Sequence, residues 1–167
     1  MKDANSAPTR DSVAAGPRRF TILSATDGSR AGTAAVRFAA RLASCESSSE
    51  LIVVTVGHGS LDSRRVLDAA RRRFRAHAGR IRFENIDAET YAEVPDAISR
   101  AADRIRADLI VVGSEGRETL QEWVVGGTAL RLIYISRRPV TVVRATGRRR
   151  HLALAKRATA ARHISHH

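Results

Sequence analysis

The chain has 167 residues, 43% of them apolar, and a formal net charge of +12. This length suits one globular domain with a single core. The longest apolar runs are far shorter than the roughly 20 residues that span a bilayer, which argues against an integral membrane protein. The single cysteine, Cys45, excludes an internal disulfide and is typical of a reducing cytoplasm.

The positive charge is concentrated at the C-terminal end. All 17 acidic residues precede Trp123, and the last 22 residues carry only basic charges. We therefore interpret residues 146–167 as a basic, disordered tail. Residues 18–145 are interpreted as one folded domain, and residues 1–17 before it as a disordered arm. Contact of this tail with nucleic acid or another polyanion is the alternative interpretation.

Strands and helices are predicted to alternate through the first half of the domain. An apolar, β-rich segment at 20–26 ends at an Asp-Gly-Ser turn, and a helix follows with Ser29 as its N-cap. A second strand at 50–56 is apolar on both faces, as a buried parallel strand requires. An amphipathic helix over 61–78 comes next.

Helical spacing predicts which side chains of these two helices face the core. On the first helix they are Ala35, Phe38, Ala39 and Leu42. On the second they are Leu61, Val66, Ala69, Ala70 and Phe74.

The second half of the domain continues the alternation. We place a third strand in the second half of 81–91, where the apolar pattern is only partial. A helix over 94–107, a strand at 108–113, a helix over 126–138 and a final strand at 139–144 follow. Five strands joined by helical crossovers predict a doubly wound parallel α/β sheet.

Ligands of such sheets bind beyond the carboxyl ends of the strands. Asp27 follows the first strand, where its carboxylate would accept hydrogen bonds from ribose hydroxyls or a base amino group. The alternative is that Asp27 is only a turn residue in front of the capping Ser29.

A glycine-rich stretch follows the fourth strand and is the best candidate for a phosphate site. Gly113 and Gly116 allow tight turns that bring backbone N–H groups near an anion. Gly126 and Gly127 open a helix, whose N-terminus favours phosphate. Further donors are available from Ser114, Arg117 and Thr128. The spacing matches neither the P-loop nor the dinucleotide fingerprint, so ordinary turns remain the alternative.

Several segments together resemble the universal stress protein family. They are "ILSATDGSRAGTAAVRFAARLA", "LIVVTV", "ADLIVVGSEGR" and "GGTALRLIYISRRPVTVVR", in the order and spacing of that family. The nucleotide motif of the family is G-x2-G-x9-G-[S/T], and Gly113, Gly116 and Gly126 occupy its glycine positions. The chain departs from the motif at Gly127, where nucleotide-binding members have Ser or Thr.

The resemblance implies a flavodoxin-like, Rossmann-like sheet of order 3-2-1-4-5 in a family of which many members bind ATP and others do not. Glu115 and Glu118 would lie near the phosphates of a bound ATP, where Mg²⁺ is an optional partner. By position, Ala25 and Asp27 would face the adenosine, Val56 and Val112 the base, and the backbone of 113–116 and 126–128 the phosphates. Dimerisation would use the last strand, through Val140, Val142 and Arg144. Losing the motif hydroxyl at Gly127 should weaken binding roughly tenfold or less.

We therefore predict a cytoplasmic, dimeric stress-response protein that binds ATP as a switch or signal. Catalysis has little support, because the sequence shows no paired carboxylates, activated nucleophile or metal cluster at a site. Two alternatives are a dimeric interaction protein that does not bind ATP and a weak ATP hydrolase.

Overall fold

The computed structural model describes residues 19–57, 61–75, 81–115 and 125–145, with only the backbone of Leu61. The predicted arm and basic tail lie outside these residues. The elements in chain order are β1 (Thr21–Ala25), α1 (Arg30–Cys45), β2 (Glu50–Gly57), α2 (Leu61–Arg73), β3 (Ile81–Asp87), a 3-10 turn (Tyr91–Glu93), α3 (Val94–Arg104), β4 (Leu109–Gly113), α4 (Gly127–Ile135) and β5 (Val140–Val143).

The five strands form one parallel sheet in the order β3-β2-β1-β4-β5, which confirms the predicted fold. Strand β1 lies in the middle, with Ile22 aligned to Leu51 of β2 and to Leu109 of β4. The strand order therefore reverses between β1 and β4. In sheets of this kind the crevice beside the reversal is the usual ligand position.

Helices cover both faces of the sheet, because its inner strands are apolar on both sides. One core lies between the sheet and α1 and includes Ile22, Ala35, Val36, Val53, Phe74 and Val111. The opposite core lies against α3 and α4 and includes Leu23, Ile52, Ile98, Ile110, Ala129 and Leu132.

The predicted inward faces of the first two helices are partly wrong. On α1, Ala35 and Ala39 are buried, but Phe38 is 39% exposed. Small residues dominate the buried stripe, because this helix packs closely on β4, and Phe38 lies on its flank. On α2, Ala70 is buried as predicted, whereas Ala69 is exposed. Leu67, which the spacing argument omitted, is buried in its place. Phe74 is also buried, but it lies just beyond the helix, which ends at Arg73.

Strand β3 begins earlier than the sequence predicted. It covers Ile81–Asp87 and pairs with the whole of Leu51–Gly57, so the placement in the second half of 81–91 was wrong. The strand is at the edge of the described sheet and Ile81 is its one buried residue. Charged residues therefore alternate with its apolar ones and obscure the pattern.

The predicted helix over 126–138 ends at Ile135. Ser136 adopts extended backbone, and its hydroxyl accepts a hydrogen bond from the Arg138 N–H at 3.0 Å and donates one to the Arg138 carbonyl at 3.1 Å. The turn thereby positions Pro139 ahead of β5. None of the helices in the described ranges is long and apolar enough to cross a membrane.

Candidate nucleotide site

A cleft of about 310 Å³ lies at the carboxyl ends of β1, β2 and β4. Its volume is at the lower end of the range typical of small-molecule sites. The cleft is closed on one side by the start of α4 and on the other by the start of α2 and the segment from Tyr91 to Ile98.

The structure brings together most of the residues that the sequence singled out. Those that line the cleft are Ala25, Asp27, Val56, Val112, Gly113, Gly126, Gly127 and Thr128. Ser114 is buried beside them but does not line the cleft. Gly116 and Arg117 lie outside the described residues.

The inner part of the cleft is apolar. Ala25, Val56 and Val112 lie at the ends of three neighbouring strands, and Ile98 and Ala129 face them from α3 and α4. All of these residues belong to the core on this face of the sheet or pack against it. A flat, apolar ring such as a nucleobase suits this surface.

Asp27 has both features that the sequence left as alternatives. It is a turn residue, because its Oδ1 accepts a hydrogen bond from the Ser29 N–H at 2.9 Å and Gly28 has a φ of 80°. It also lines the cleft with an exposed carboxylate. The turn therefore holds the carboxylate at the mouth of the cleft.

Ser29 connects this turn to the glycine-rich stretch. Its hydroxyl accepts a hydrogen bond from the Gly32 N–H at 3.0 Å, which confirms the predicted N-cap of α1. The same hydroxyl donates to the carbonyl of Glu115 at 3.3 Å. The segments after β1 and β4 are thus held against each other.

Gly113 is a glycine for a packing reason. A Cβ at this position would lie 2.6 Å from the carbonyl carbon of Ala31 and 2.6 Å from the backbone nitrogen of Gly32. Real Cβ atoms do not approach backbone so closely, and these atoms belong to the first turn of α1. The end of β4 therefore needs glycine whether or not a phosphate binds there.

The N-terminus of α4 supplies hydrogen-bond donors at the opposite wall. The first helical bond runs from the Leu130 N–H to the Gly126 carbonyl at 3.0 Å. The amides of Gly127, Thr128 and Ala129 therefore have no acceptor within the helix, as in any first turn. The Gly126 amide differs, because it donates to the Ser114 carbonyl at 2.6 Å.

Two further observations concern Gly127 in this wall and Ser114 behind it. Space around Gly127 is open, since a Cβ there would meet nothing within 4 Å. The hydroxyl of Ser114 is buried and has no hydrogen-bond partner in the part of the chain that the structure describes. Desolvating a hydroxyl without a partner has a cost, so this group favours a nearby donor or acceptor.

The charged residues that line the cleft in the described part of the chain are all acidic. They are Asp27, Asp62 and Glu115. Within the same ranges, no group of three His, Cys, Asp or Glu residues is arranged to hold a metal ion.

The sequence argument missed one side of the cleft. Thr55, Asp62, Ser63, Tyr91 and Val94 contribute to it, and none was singled out in the sequence. Placing β3 too late along the chain hid the relation between its carboxyl end and Tyr91. An aromatic residue four positions beyond the correct strand end would have been a usable signal.

Comparison with known proteins decides the family. A match to the universal stress protein family extends over residues 19–144, which is most of the chain. The chain belongs to the universal stress protein family. The matched range contains all ten described elements and the whole cleft. Comparison with functionally characterised sequences gives no significant match.

Solved universal stress proteins share this fold at low sequence identity. One, determined in complex with cAMP, is 24% identical with a TM-score of 0.60 over 75% of this chain and 97% of its own. A protein from Archaeoglobus fulgidus in complex with dAMP is 21% identical with a TM-score of 0.59 over 75% and 98%. UspA from Lactobacillus plantarum is 21% identical with a TM-score of 0.63 over 77% and 100%.

Proposed function

We propose that this universal stress protein binds an adenine nucleotide, with ATP as the expected ligand, in the cleft at the carboxyl edge of its sheet. The observation that carries the proposal is the combination of two surfaces in one cleft. An apolar inner wall suits the base, and the free amides at the start of α4 suit phosphate. Binding would act as a switch of a dimeric, cytoplasmic stress-response protein.

Different lining residues would contact the base, the ribose and the phosphates of the ligand. Val56 and Val112 would contact the base, and the carboxylate of Asp27 would accept hydrogen bonds from the ribose hydroxyls. The amides of Gly127, Thr128 and Ala129 would donate to phosphate oxygens. The Gly126 amide contributes to the shape of this wall instead, since it already donates to Ser114.

Magnesium would enter with the phosphates of the nucleotide. Mg²⁺ prefers oxygen ligands and commonly keeps several waters while bound by one or two carboxylates and substrate phosphates. Glu115 is a carboxylate on the phosphate side of the cleft, which fits that mode. The ion would offset the charge of the phosphates.

Relatives of known structure support the nucleotide class. Two solved universal stress proteins of the same fold are described as complexes with cAMP and with dAMP. Both ligands contain an adenine base, a sugar and one phosphate. Transfer to this chain rests on the cleft described above, because the identities of 24% and 21% carry the fold alone.

The dimer is proposed to form along β5, which ends the sheet in the described chain. The carbonyls of Pro139 and Val143 accept hydrogen bonds from the N–H groups of Ile110 in β4 and of Ser114 directly after it. By alternation, the backbone groups of Val140 and Val142 point away from the sheet, and an open edge favours strand pairing. The neighbouring helix α4 also exposes an apolar stripe formed by Leu130, Ile133 and Tyr134.

The glycine at position 127, where the family motif has Ser or Thr, favours the alternative that this family member does not bind ATP. The test is isothermal titration with ATP, ADP and AMP, with and without Mg²⁺, on the wild type and on Gly127→Ser. Because space at Gly127 is open, the added hydroxyl should increase ATP affinity up to about tenfold. Gly127→Ala is the matched control and should leave the affinity unchanged.

No heat with any nucleotide, for both the wild type and Gly127→Ser, would establish the alternative. Phosphate release at saturating ATP and Mg²⁺, measured on the same samples, tests the weak-hydrolase alternative. We expect the rate of phosphate release to be no higher than in buffer without the protein.

A further inference from the structure

We propose that the cleft ranks adenine nucleotides by their phosphate charge, and that without a divalent cation it binds AMP more tightly than ATP. The inference rests on the proposed function, since it assumes that an adenine nucleotide occupies the cleft. It adds a selectivity that the shape of the cleft alone does not imply.

The first support is the sign of the charges in the cleft wall. Asp27, Asp62 and Glu115 come from three different segments and all line the cleft. Within the described residues, no Lys or Arg side chain lines it with them. Two arginines of the α4–β5 region instead pair with acids of α3: Arg131 with Asp96 at 3.2 Å and Arg138 with Asp103 at 2.9 Å.

The second support comes from the sequence of the segment that joins β4 to α4. Between Gly113 and Gly126 it contains three glutamates and one arginine. The two ends of the segment, at Gly113 and Glu115 and at Gly126, line the cleft. Its composition supplies no excess of cations that could neutralise the acidic residues of the wall, although phosphate contacts are strongest with a nearby cation.

The magnitudes indicate which charge effect dominates. The N-terminus of a helix acts as about half a positive charge on a nearby anion. Three carboxylates are full negative charges, and a carboxylate within about 10 Å of the phosphates is not fully screened at ordinary ionic strength. One phosphate group is therefore attracted locally by the α4 amides, whereas each additional phosphate mainly adds repulsion.

The test measures affinities along a ligand series of increasing charge. Adenosine, AMP, ADP and ATP are titrated into the full chain at low ionic strength with EDTA, and then with excess Mg²⁺. We expect ATP to bind at least about tenfold more weakly than AMP in EDTA. Each carboxylate should contribute a factor of roughly two to five to this ratio of affinities. Mg²⁺ or added salt should narrow this difference.

Variants assign the effect to the cleft. Asp62→Asn and Glu115→Gln each remove one of the lining charges and should each reduce the AMP-to-ATP preference about two- to fivefold. Asp68→Asn is the matched control, since Asp68 is on the same helix as Asp62 but does not line the cleft. Adenosine affinity should be unchanged in Asp68→Asn, and circular dichroism of all three variants separates selectivity from damage to the fold.

Two results would overturn the inference alone. One is ATP binding as tightly as AMP in EDTA, and the other is a preference that changes no more in Asp62→Asn and Glu115→Gln than in Asp68→Asn. Failure of the whole series to bind, adenosine included, would instead reject the proposed function and this inference with it.

Discussion

Gly113 and Gly127 belong to the same glycine-rich stretch, yet the structure gives them different roles. Gly113 is required by the close approach of β4 to the first turn of α1, where a Cβ would lie 2.6 Å from backbone atoms. Gly127 faces open space. A motif match treats the two glycines alike, whereas the packing shows that only the first is structurally obligatory.

We therefore expect Gly113→Ala to lower the free energy of unfolding by about 1–3 kcal/mol, because the added methyl group overpacks the interface of β4 with α1. Gly127→Ala should leave the free energy unchanged or raise it by up to about 1 kcal/mol, since alanine has the better helix propensity. Urea unfolding monitored by circular dichroism measures both. Equal effects of the two substitutions would contradict the packing argument.

Tyr91 is the aromatic residue at the mouth of the cleft, and it is 60% exposed. Stacking of a base on an aromatic ring contributes about 1–3 kcal/mol, and the lower end applies to an exposed ring. We expect Tyr91→Ala to weaken AMP binding about fivefold and Tyr91→Phe to preserve it.

Tyr134→Ala is the control for Tyr91→Ala. Tyr134 is the other tyrosine of the chain, is 80% exposed on α4 and does not line the cleft. Equal losses of AMP affinity in Tyr91→Ala and Tyr134→Ala, measured by isothermal titration, would remove Tyr91 from the site.

Among the elements, the inner strands were predictable and the edge strand was not. Strands β1, β2 and β4 are buried on both faces, so their sequences are nearly continuous apolar runs. Strand β3 is half solvated, and its Arg82 and Glu84 form ion pairs on the surface of the sheet. Its sequence therefore loses the apolar signal, although its pairing with β2 spans seven residues.

The weak apolar signal of β3 also explains which residues of the cleft the sequence argument missed. The residues at the carboxyl ends of β1 and β4 were found, because strong strand signals lead up to Asp27 and Gly113. Tyr91 follows β3, whose end was misplaced, and Asp62 is ordinary as a helix N-terminal acid. Their common position appears only when the strands are aligned in the sheet.

The prediction about assembly concerns the edge strand β5. Val142→Pro removes a backbone N–H that points away from the sheet by alternation, and proline is tolerated at such edge positions. We expect this variant to be monomeric at concentrations where the wild type is a dimer. Val142→Ala keeps the N–H and should remain dimeric, which controls for the lost side chain.

Sedimentation equilibrium of the wild type, Val142→Pro and Val142→Ala measures the assembly. A monomeric wild type, or a dimer that Val142→Pro leaves intact, would contradict pairing through β5. Circular dichroism of each variant shows whether the sheet remains folded.

On the scale of the whole molecule, positive and negative charges are concentrated in different parts of the chain. The net charge of +12 belongs mainly to the C-terminal end, whereas the described wall of the cleft is acidic. The composition of the chain would suggest a protein suited to polyanions. The acidic wall of the cleft instead disfavours highly charged anions, so net charge is a poor guide to the site.

The central claim is that a nucleotide phosphate binds at the start of α4, and Gly127→Glu tests it most directly. An acidic side chain in the first turn stabilises a helix, so this variant should fold at least as well as the wild type. The same carboxylate should repel a phosphate at the Gly127 amide. Gly127→Gln is the isosteric neutral control.

The decisive measurement is isothermal titration of AMP, and of ATP with Mg²⁺, into the wild type, Gly127→Glu and Gly127→Gln. We predict measurable binding to the wild type and to Gly127→Gln, at least about tenfold weaker binding to Gly127→Glu, and adenosine affinity that is the same in all three. No binding to the wild type, or equal nucleotide affinity in Gly127→Glu and Gly127→Gln, would contradict the claim.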